Sequence, residues 1–300
     1  MVSGWVAIQR NRSSGAGHSG LGLRTLIREL QDRGMTPRLF SRREDLDDAV
    51  RSADRFARYG ELRAIVAAGG DGTLIDVINR HPHVPICPFP LGTENLVARW
   101  LRIPRCGTTV ARIIAKGQRQ KFDRAKLNEQ YFLIMASVGL DASIVHAVHA
   151  RRQGGHVRHL SYVLPVLKAL VNNRPPTLRI YVDDASIPVE GEWAVIANLP
   201  AYALQLPIVP TACGTDGWLD LRMFRIRNRL DWFRHLLAIL SGDHERSPEV
   251  VRLRGRRFRI ESESPVAVQA DGDPYGMTPG LLEIEPLSVE LLVPSPEHGT

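Results

Sequence analysis

Cysteine is scarce in this chain: Cys87, Cys106 and Cys213 are the only three in 300 residues, widely spaced and odd in number. They offer no disulfide framework and no Cys-x-x-Cys metal site, so a disulfide-stapled scaffold is excluded and a reducing, cytoplasmic home is expected. Long apolar runs are missing too. No uninterrupted stretch approaches the roughly 18–20 residues of a membrane span. Residues 1–8 lack the apolar core of a signal peptide, so the expectation is a soluble protein with no transmembrane segment. No RNA-binding aromatic pattern, zinc finger or basic heptad is present, and nucleic acid is not an expected partner. Internal repeats, long low-complexity tracts and obvious flexible linkers are likewise absent.

What is present suits one large or two medium domains, with 44% apolar residues to build cores. The net charge of +7 comes largely from arginine. Clusters stand at Arg151, Arg152 and Arg158, at Arg225, Arg227 and Arg229, and at Arg252, Arg254, Arg256, Arg257 and Arg259. Each is open to a plain reading as solvated surface. As a functional feature, attraction to an anionic membrane surface fits them better than nucleic acid does.

Up to about residue 125 the pattern alternates strand and helix. Val6-Ala7-Ile8 reads as a strand, and Leu23, Leu26, Ile27 and Leu30 form one helical stripe that Gly34 and Pro37 should end. Arg38-Leu39-Phe40 reads as the next strand and residues 43–58 as a helix. Ala64-Ile65-Val66 then leads into Gly69-Gly70-Asp71-Gly72-Thr73, followed by a helix start at Leu74. Three glycines let backbone N–H groups approach a ligand that a Cβ would hold off, and a helix N-terminus adds a positive dipole end. A polyphosphate is the natural occupant. Asp71 would repel it, so Asp71 is expected to work through a cation or by positioning its neighbours. The plainer alternative is a tight strand-to-helix turn with an Asp cap. Val84-Pro85-Ile86-Cys87 leads likewise into Pro90-Leu91-Gly92-Thr93-Glu94-Asn95, again at a helix mouth. Two such loops at the ends of parallel strands are what an open α/β sheet presents at its ligand edge.

At these loops the chain resembles the diacylglycerol kinase catalytic family, which includes sphingosine kinases and bacterial lipid kinases and pairs a GGDGT loop with a P-x-GT-x-N loop. The resemblance covers nearly the whole chain. It implies an α/β N-terminal domain with a parallel sheet over residues 1–125, of the NAD kinase/diacylglycerol kinase kind. A β-sandwich-rich lipid-substrate domain would follow over 126–287, and 288–300 would rejoin the first. It implies ATP and Mg²⁺, with nucleotide contacts from Asn11, Ser13, Ser14, Ser41, Gly69, Gly70, Asp71, Gly72, Thr73, Thr93 and Asn95, and with Asp71 positioning the metal. The chain departs from the family pattern at Arg12, where proline is usual, and at Leu96, where many members carry Asp.

After residue 126 short strand-like runs dominate: Tyr131 to Met135, Leu178 to Val182, Trp193 to Ile196, Leu219 to Phe224, Val251 to Leu253 and Phe258 to Ile260. Pro-, Gly- and Asp-rich turns between them suggest antiparallel sheets packed as a sandwich, with helices near 141–150, 158–171 and 230–240. Gly139-Leu140-Asp141-Ala142 resembles the family's G-x-DA element. The Pro210 to Leu219 turn resembles one that holds a structural Mg²⁺ in the family. Asp216 is its one carboxylate here, with Thr211 and Thr215 where acids are often found, and a plain Asp-Gly turn remains an alternative. Gln269-Ala270-Asp271-Gly272-Asp273 resembles the family's DGE element beside the acceptor hydroxyl. Either Asp271 or Asp273 is a candidate general base, against the alternative of a simple hairpin turn.

The expectation is therefore an ATP-dependent kinase acting on a lipid hydroxyl, such as that of diacylglycerol or a sphingoid base, and associated peripherally with the membrane. Its rivals are a soluble nucleotide kinase of the NAD-kinase type and a nucleotide- or lipid-binding regulator without catalysis. A third rival is an NADP-binding oxidoreductase, suggested by the formal G-x-G-x-x-G of residues 15–20 with Arg42 and Arg43 beyond it. Several residues separate Ile8 from Gly15, whereas a dinucleotide turn follows its strand directly.

Overall fold

Alternating strands and amphipathic helices build the first part of the chain as the sequence predicts. The computed structural model describes residues 4–11, 19–52, 60–152, 175–202 and 205–295. Ser13, Ser14, residues 53–58 of the helix expected over 43–58 and the helix expected at 158–171 lie outside them. β1 (Trp5–Arg10) is buried nearly throughout, and α1 (Ser19–Asp32) seals one face of the sheet with Leu23, Leu26 and Leu30. Gly34, at φ +77°, turns the chain after α1. Pro37 plays no part in stopping that helix: it lies inside β2 (Thr36–Phe40), an edge strand, where a missing N–H is tolerated.

α2 (Arg43–Arg51) and β3 (Leu62–Gly69) lead to α3 (Asp71–Arg80), β4 (Ile86–Pro90), α4 (Leu96–Trp100) and α5 (Gly107–Lys116). The strand order is β2-β1-β3-β4, continued by the C-terminal half of the last strand, β16 (Gly280–Val293). Every pairing among these strands is parallel. Val6, Ile8, Ala64, Val66 and Ala68 share one core with α1 and with Val110, Ala111, Ile113 and Ile114 of α5. The alternate residues Ala7, Ile65 and Ala67 are equally buried, so their side chains pack on the opposite face, as the two-residue period of a strand requires.

By its contacts the chain divides into two compact units, Met1–Phe122 with Leu287–Thr300, and Asp123–Pro286. The second is built from β5 (Gln118–Leu127), β6 (Gln130–Phe132), β7 (Met135–Val138), α6 (Leu140–Arg152), β8 (Leu178–Val182), β9 (Val189–Gly191) and β10 (Trp193–Ala197). It continues with β11 (Leu219–Phe224), α7 (Arg229–Ser241), β12 (Val250–Gly255), β13 (Arg257–Ser262), β14 (Ala267–Ala270), β15 (Asp273–Met277) and the first half of β16. One antiparallel sheet runs β12-β11-β10-β7-β14-β15. A second holds β16, β13, β8 and β9, with β5 and β6 beside β16. Their inner faces share a core that includes Leu178, Phe258 and Leu282 from one sheet and Val138, Ile196, Leu221 and Val268 from the other, which is a β-sandwich. The single strand expected over residues 131–135 is in fact two: β6 pairs with β5, whereas β7 belongs to the other sheet.

Candidate active site

In a parallel sheet all strands end at one edge, and in the first unit that edge collects the candidate nucleotide residues. Asn11 follows β1, Ser41 follows β2, Gly69 ends β3 and Gly70 caps α3, while Gly92, Thr93 and Asn95 follow β4. Ser41, Gly72 and Thr93 are exposed, and Thr73 and Asn95 are buried. The Asn11 side chain reaches the hydroxyl of Thr73 at 3.4 Å, and its backbone N–H is bonded to Ala68 O at 3.3 Å.

The two glycine loops are one construction. The carbonyl of Gly69 accepts the N–H groups of Leu91 and Gly92, at 2.8 and 3.2 Å. A Cβ on Gly92 would lie 2.5 Å from the Cα of Gly70, so the backbones meet where Gly92 cannot carry a side chain. Asn95, in the left-handed region at φ +51°, closes the second loop by accepting from Gly92 N at 2.9 Å and donating to Gly92 O at 2.8 Å. Arg105 adds donors to the carbonyls of Pro90 and Gly92.

Asp71 binds the construction together. Its carboxylate accepts the N–H groups of Leu96 and Val97, at 2.8 and 3.1 Å, and so caps α4 from 25 residues away. Burial pushes its acid up from the ordinary aspartate range, and the two N–H donors work against that shift. Gly72 beside it has open space where a Cβ would point, leaving the first turn of α3 accessible to a ligand.

The acidic turn of the second unit has a different geometry. Asp271 (φ +50°) and Gly272 (φ +85°) form the two-residue turn of the β14–β15 hairpin, in which Ala270 pairs with Asp273. Two positive φ values make it the hairpin reading of Asp-Gly. The Asp271 carboxylate accepts three backbone N–H groups, from Leu133 (2.7 Å), Ile134 (2.8 Å) and Met135 (3.0 Å). It clasps the link where the chain leaves β6 for β7. Asp273 is exposed at the first position of β15. Tyr275, two residues on, donates to Tyr131 O at 2.8 Å; burial first, then Asp271 and Asp273, push its phenol well above the ordinary range.

A second carboxylate, Asp141 in the first turn of α6, gathers more partners than its G-x-DA context discloses. Ser137 Oγ lies at 2.5 Å, Tyr202 OH at 2.7 Å, Trp193 Nε1 at 2.9 Å and Gln269 Nε2 at 3.4 Å. Tyr202 is held firmly as the neutral phenol by burial and then by the Asp141 charge. The sequence marks Asp141 but not its partners: Ser137, Trp193 and Gln269 sit in strands buried throughout, and Tyr202 lies in no strand, so no pattern singles them out.

The metal expected at Asp216 does not fit. Asp216 is ion-paired with Arg254 and takes the N–H of Trp218 at 3.1 Å, and Thr211 accepts from Arg222 at 2.7 Å. A turn already holding two guanidinium groups has no place for a divalent cation. Among the described residues, no cluster of three or more His, Cys, Asp or Glu could hold a metal, and the acid whose charge reaches Asp71 is Glu94.

Comparison with known proteins follows the same two-part division. Residues 6–127 match the diacylglycerol kinase catalytic domain, and residues 134–293 match the YegS C-terminal NAD kinase beta sandwich-like domain. Diacylglycerol kinases of Staphylococcus epidermidis and Staphylococcus aureus are each 27% identical over 79% of this chain, covering 75% and 76% of their own lengths. A crystal structure of a diacylglycerol kinase from Bacillus anthracis covers 98% of both chains with a TM-score of 0.68 at 18% identity. Yeast NADH kinase, complexed with NADH, shares the fold more distantly, with a TM-score of 0.52 at 10% identity over 99% of this chain and 85% of that one. With an N-terminal α/β domain on a parallel sheet, a sandwich behind it in sequence and both family models matched in order, the chain belongs to the diacylglycerol kinase family of kinases.

Proposed function

We propose that this protein transfers the γ-phosphoryl group of ATP to a lipid hydroxyl, with a diacylglycerol as the first candidate acceptor. The observation that carries the reading is the joined pair of glycine loops, with Asp71 and Asn95 holding them at the ligand edge of the parallel sheet. Backbone N–H groups at the start of α3 and the exposed Gly72 bind phosphate, with Thr93 and Ser41 beside them. Mg²⁺ arrives on ATP as part of the substrate, where it offsets phosphate charge. Asp71 acts as a positioning residue, fixing α4 and the second loop. In the sandwich unit Asp273, exposed and free of the three-donor clasp that occupies Asp271, accepts the acceptor's hydroxyl proton. The new phosphorus–oxygen bond forms as the bond to ADP breaks. The protein is expected to work at a membrane surface from the cytoplasmic side, since its acceptor resides in a bilayer.

The test is transfer of labelled phosphate from MgATP to diacylglycerol and to a total lipid extract in mixed micelles. The expected product partitions into chloroform, and Asp71→Asn lowers its rate by about a hundredfold, the scale of loss for displaced reacting groups. Wild-type turnover in that variant removes Asp71 from the mechanism. Label appearing on added NAD or NADH instead selects a nucleotide kinase. Tight ATP binding without transfer to either acceptor selects a non-catalytic regulator.

A further inference from the structure

Among the described residues, ten large hydrophobic side chains are exposed, and five of them lie on α7 alone: Leu230, Phe233, Leu236, Leu237 and Leu240. They are between 47% and 66% exposed. At 100° per residue these five fall within about 120° of one another on the helix surface. Trp232, His235 and Ile239 occupy the opposite side and are buried. Trp232 stands against Trp193, and His235 against Phe224, so the helix is anchored inward by its own aromatic contacts. Its ends are fixed as well. Asn228 and Asp231 form a capping box, and Gly242 closes the C-terminus at φ +79°. The outward stripe is thus presented by a helix capped at both ends and left uncovered among the described residues, which is unusual on a protein surface and marks an interaction site.

The border of the stripe is basic. Arg225, Arg227 and Arg229 are exposed just before it, and Arg234 is exposed along it. Of the nearby acids, Asp231 accepts the N–H groups of Arg227 and Asn228, at 2.8 and 3.0 Å, and Glu245 is held by Arg222 at 2.6 Å. Asp231 and Glu249 also lie 3.5 Å from Arg234 and Arg227, but those two guanidinium side chains stay 74% and 70% exposed, and surface pairs of this kind are weak and open to exchange for headgroup phosphate. Apolar side chains flanked by arginine are complementary to one surface above others, an acyl layer beneath anionic headgroups.

The strand arginines are committed elsewhere. Arg252 donates to the carbonyl of Ser247 at 3.0 Å, Arg254 pairs with Asp216, and Arg257 pairs with Glu283 at 3.2 Å. Arg256 lies over the Trp218 ring at 4.6 Å. No exposed large hydrophobic side chain accompanies them among the described residues 241–276, whereas the arginines around α7 border an apolar stripe, so the membrane attraction is assigned to α7.

Resting on the lipid-acceptor reading above, we propose that α7 is the membrane-insertion element of this protein: its stripe from Leu230 to Leu240 enters an anionic bilayer while Arg225, Arg227 and Arg234 meet the headgroups. The helix spans about 20 Å at 1.5 Å per residue, enough to lie in the interface plane and too short to cross it.

The test compares wild type with Phe233→Ser/Leu237→Ser in co-sedimentation with phosphatidylcholine vesicles containing roughly one-third phosphatidylglycerol. Both side chains are exposed, so the double variant keeps the wild-type melting temperature, while its partition onto vesicles falls by about tenfold or more. A Phe233→Trp variant supplies a second measurement that needs no loss of side chain. Its added fluorescence is quenched by vesicles of brominated phosphatidylglycerol if the face inserts. Unchanged partition of the double variant together with no quenching overturns the proposal. So does wild type sedimenting as a dimer that the double variant splits, with equal vesicle binding, since the face then serves a second copy. Vesicle insertion through α7 with no lipid phosphorylation keeps this inference and removes the lipid-kinase reading. Lipid phosphorylation with partition indifferent to both substitutions does the reverse.

Discussion

One methyl group is enough to distinguish the two loop glycines. On Gly92 it would stand 2.5 Å from the Cα of Gly70 and 3.1 Å from its nitrogen, closer than packing allows, so the loops must part. On Gly70, whose φ of −90° suits any residue, it would lie 3.4 Å from Gly92, an ordinary contact. Gly92→Ala is therefore expected to lower both the melting temperature and the ATP affinity, the latter by about tenfold for each 1.4 kcal/mol of strain. Gly70→Ala should leave melting unchanged and weaken ATP alone, because its new side chain meets the phosphate. Thermal denaturation and calorimetric titration of both variants check this, and undiminished ATP affinity in Gly70→Ala places the phosphates elsewhere. The glycines themselves were legible, since a backbone without side chains is visible in any sequence. Their mutual contact was not, because 22 positions separate Gly70 from Gly92. Nor was the cap that Asp71 gives to Leu96 and Val97, a bond with no sequence signature.

Among the elements, the split between β6 and β7 shows where pattern reading stops. Phe132 to Met135 is apolar and buried throughout, so hydropathy cannot register a change of sheet at Leu133 and Ile134. What marks the change is Asp271, 136 to 138 residues away, with its three N–H donors. Asp271→Asn loses one acceptor and turns a donor toward those groups. A destabilisation of about 1–3 kcal/mol is expected, together with reduced turnover. Asp273→Asn should leave melting unchanged and reduce turnover by roughly 10²–10⁴-fold while ATP binding persists. Melting curves and saturated rates on the two variants separate clasp from base, and normal turnover in Asp273→Asn moves the base elsewhere. α5 carries a readable stripe, Gly107, Val110, Ala111 and Ile114 at i, i+3, i+4 and i+7. The five-residue α4, by contrast, has too few turns to show a period at all.

At the scale of the whole molecule, the arginine excess reads differently once partners are visible. The sequence shows a basic chain, yet Arg222 is buried on Glu245 and Arg254 pairs with Asp216 at the surface, and they fill the place where a bound cation was expected. EDTA is accordingly expected to leave the melting temperature of the nucleotide-free protein unchanged. A fall of several degrees on chelation, reversed by Mg²⁺, would establish a resident metal and displace the arginine account. The two-domain plan was legible from the change of rhythm near residue 126, and the apolar face of α7 was legible only as a helix, because exposure is not written in periodicity. β16 carries a further consequence, in time. Ile86 of β4 pairs with Ile65 on one side, and on the other with Leu291, so the first sheet cannot be finished until nearly all of the described chain has left the ribosome. At about 5–20 residues per second that wait is on the order of ten seconds or longer. Throughout it the nascent β4 edge stays unpaired, open to misjoining with other chains or to capture by chaperones.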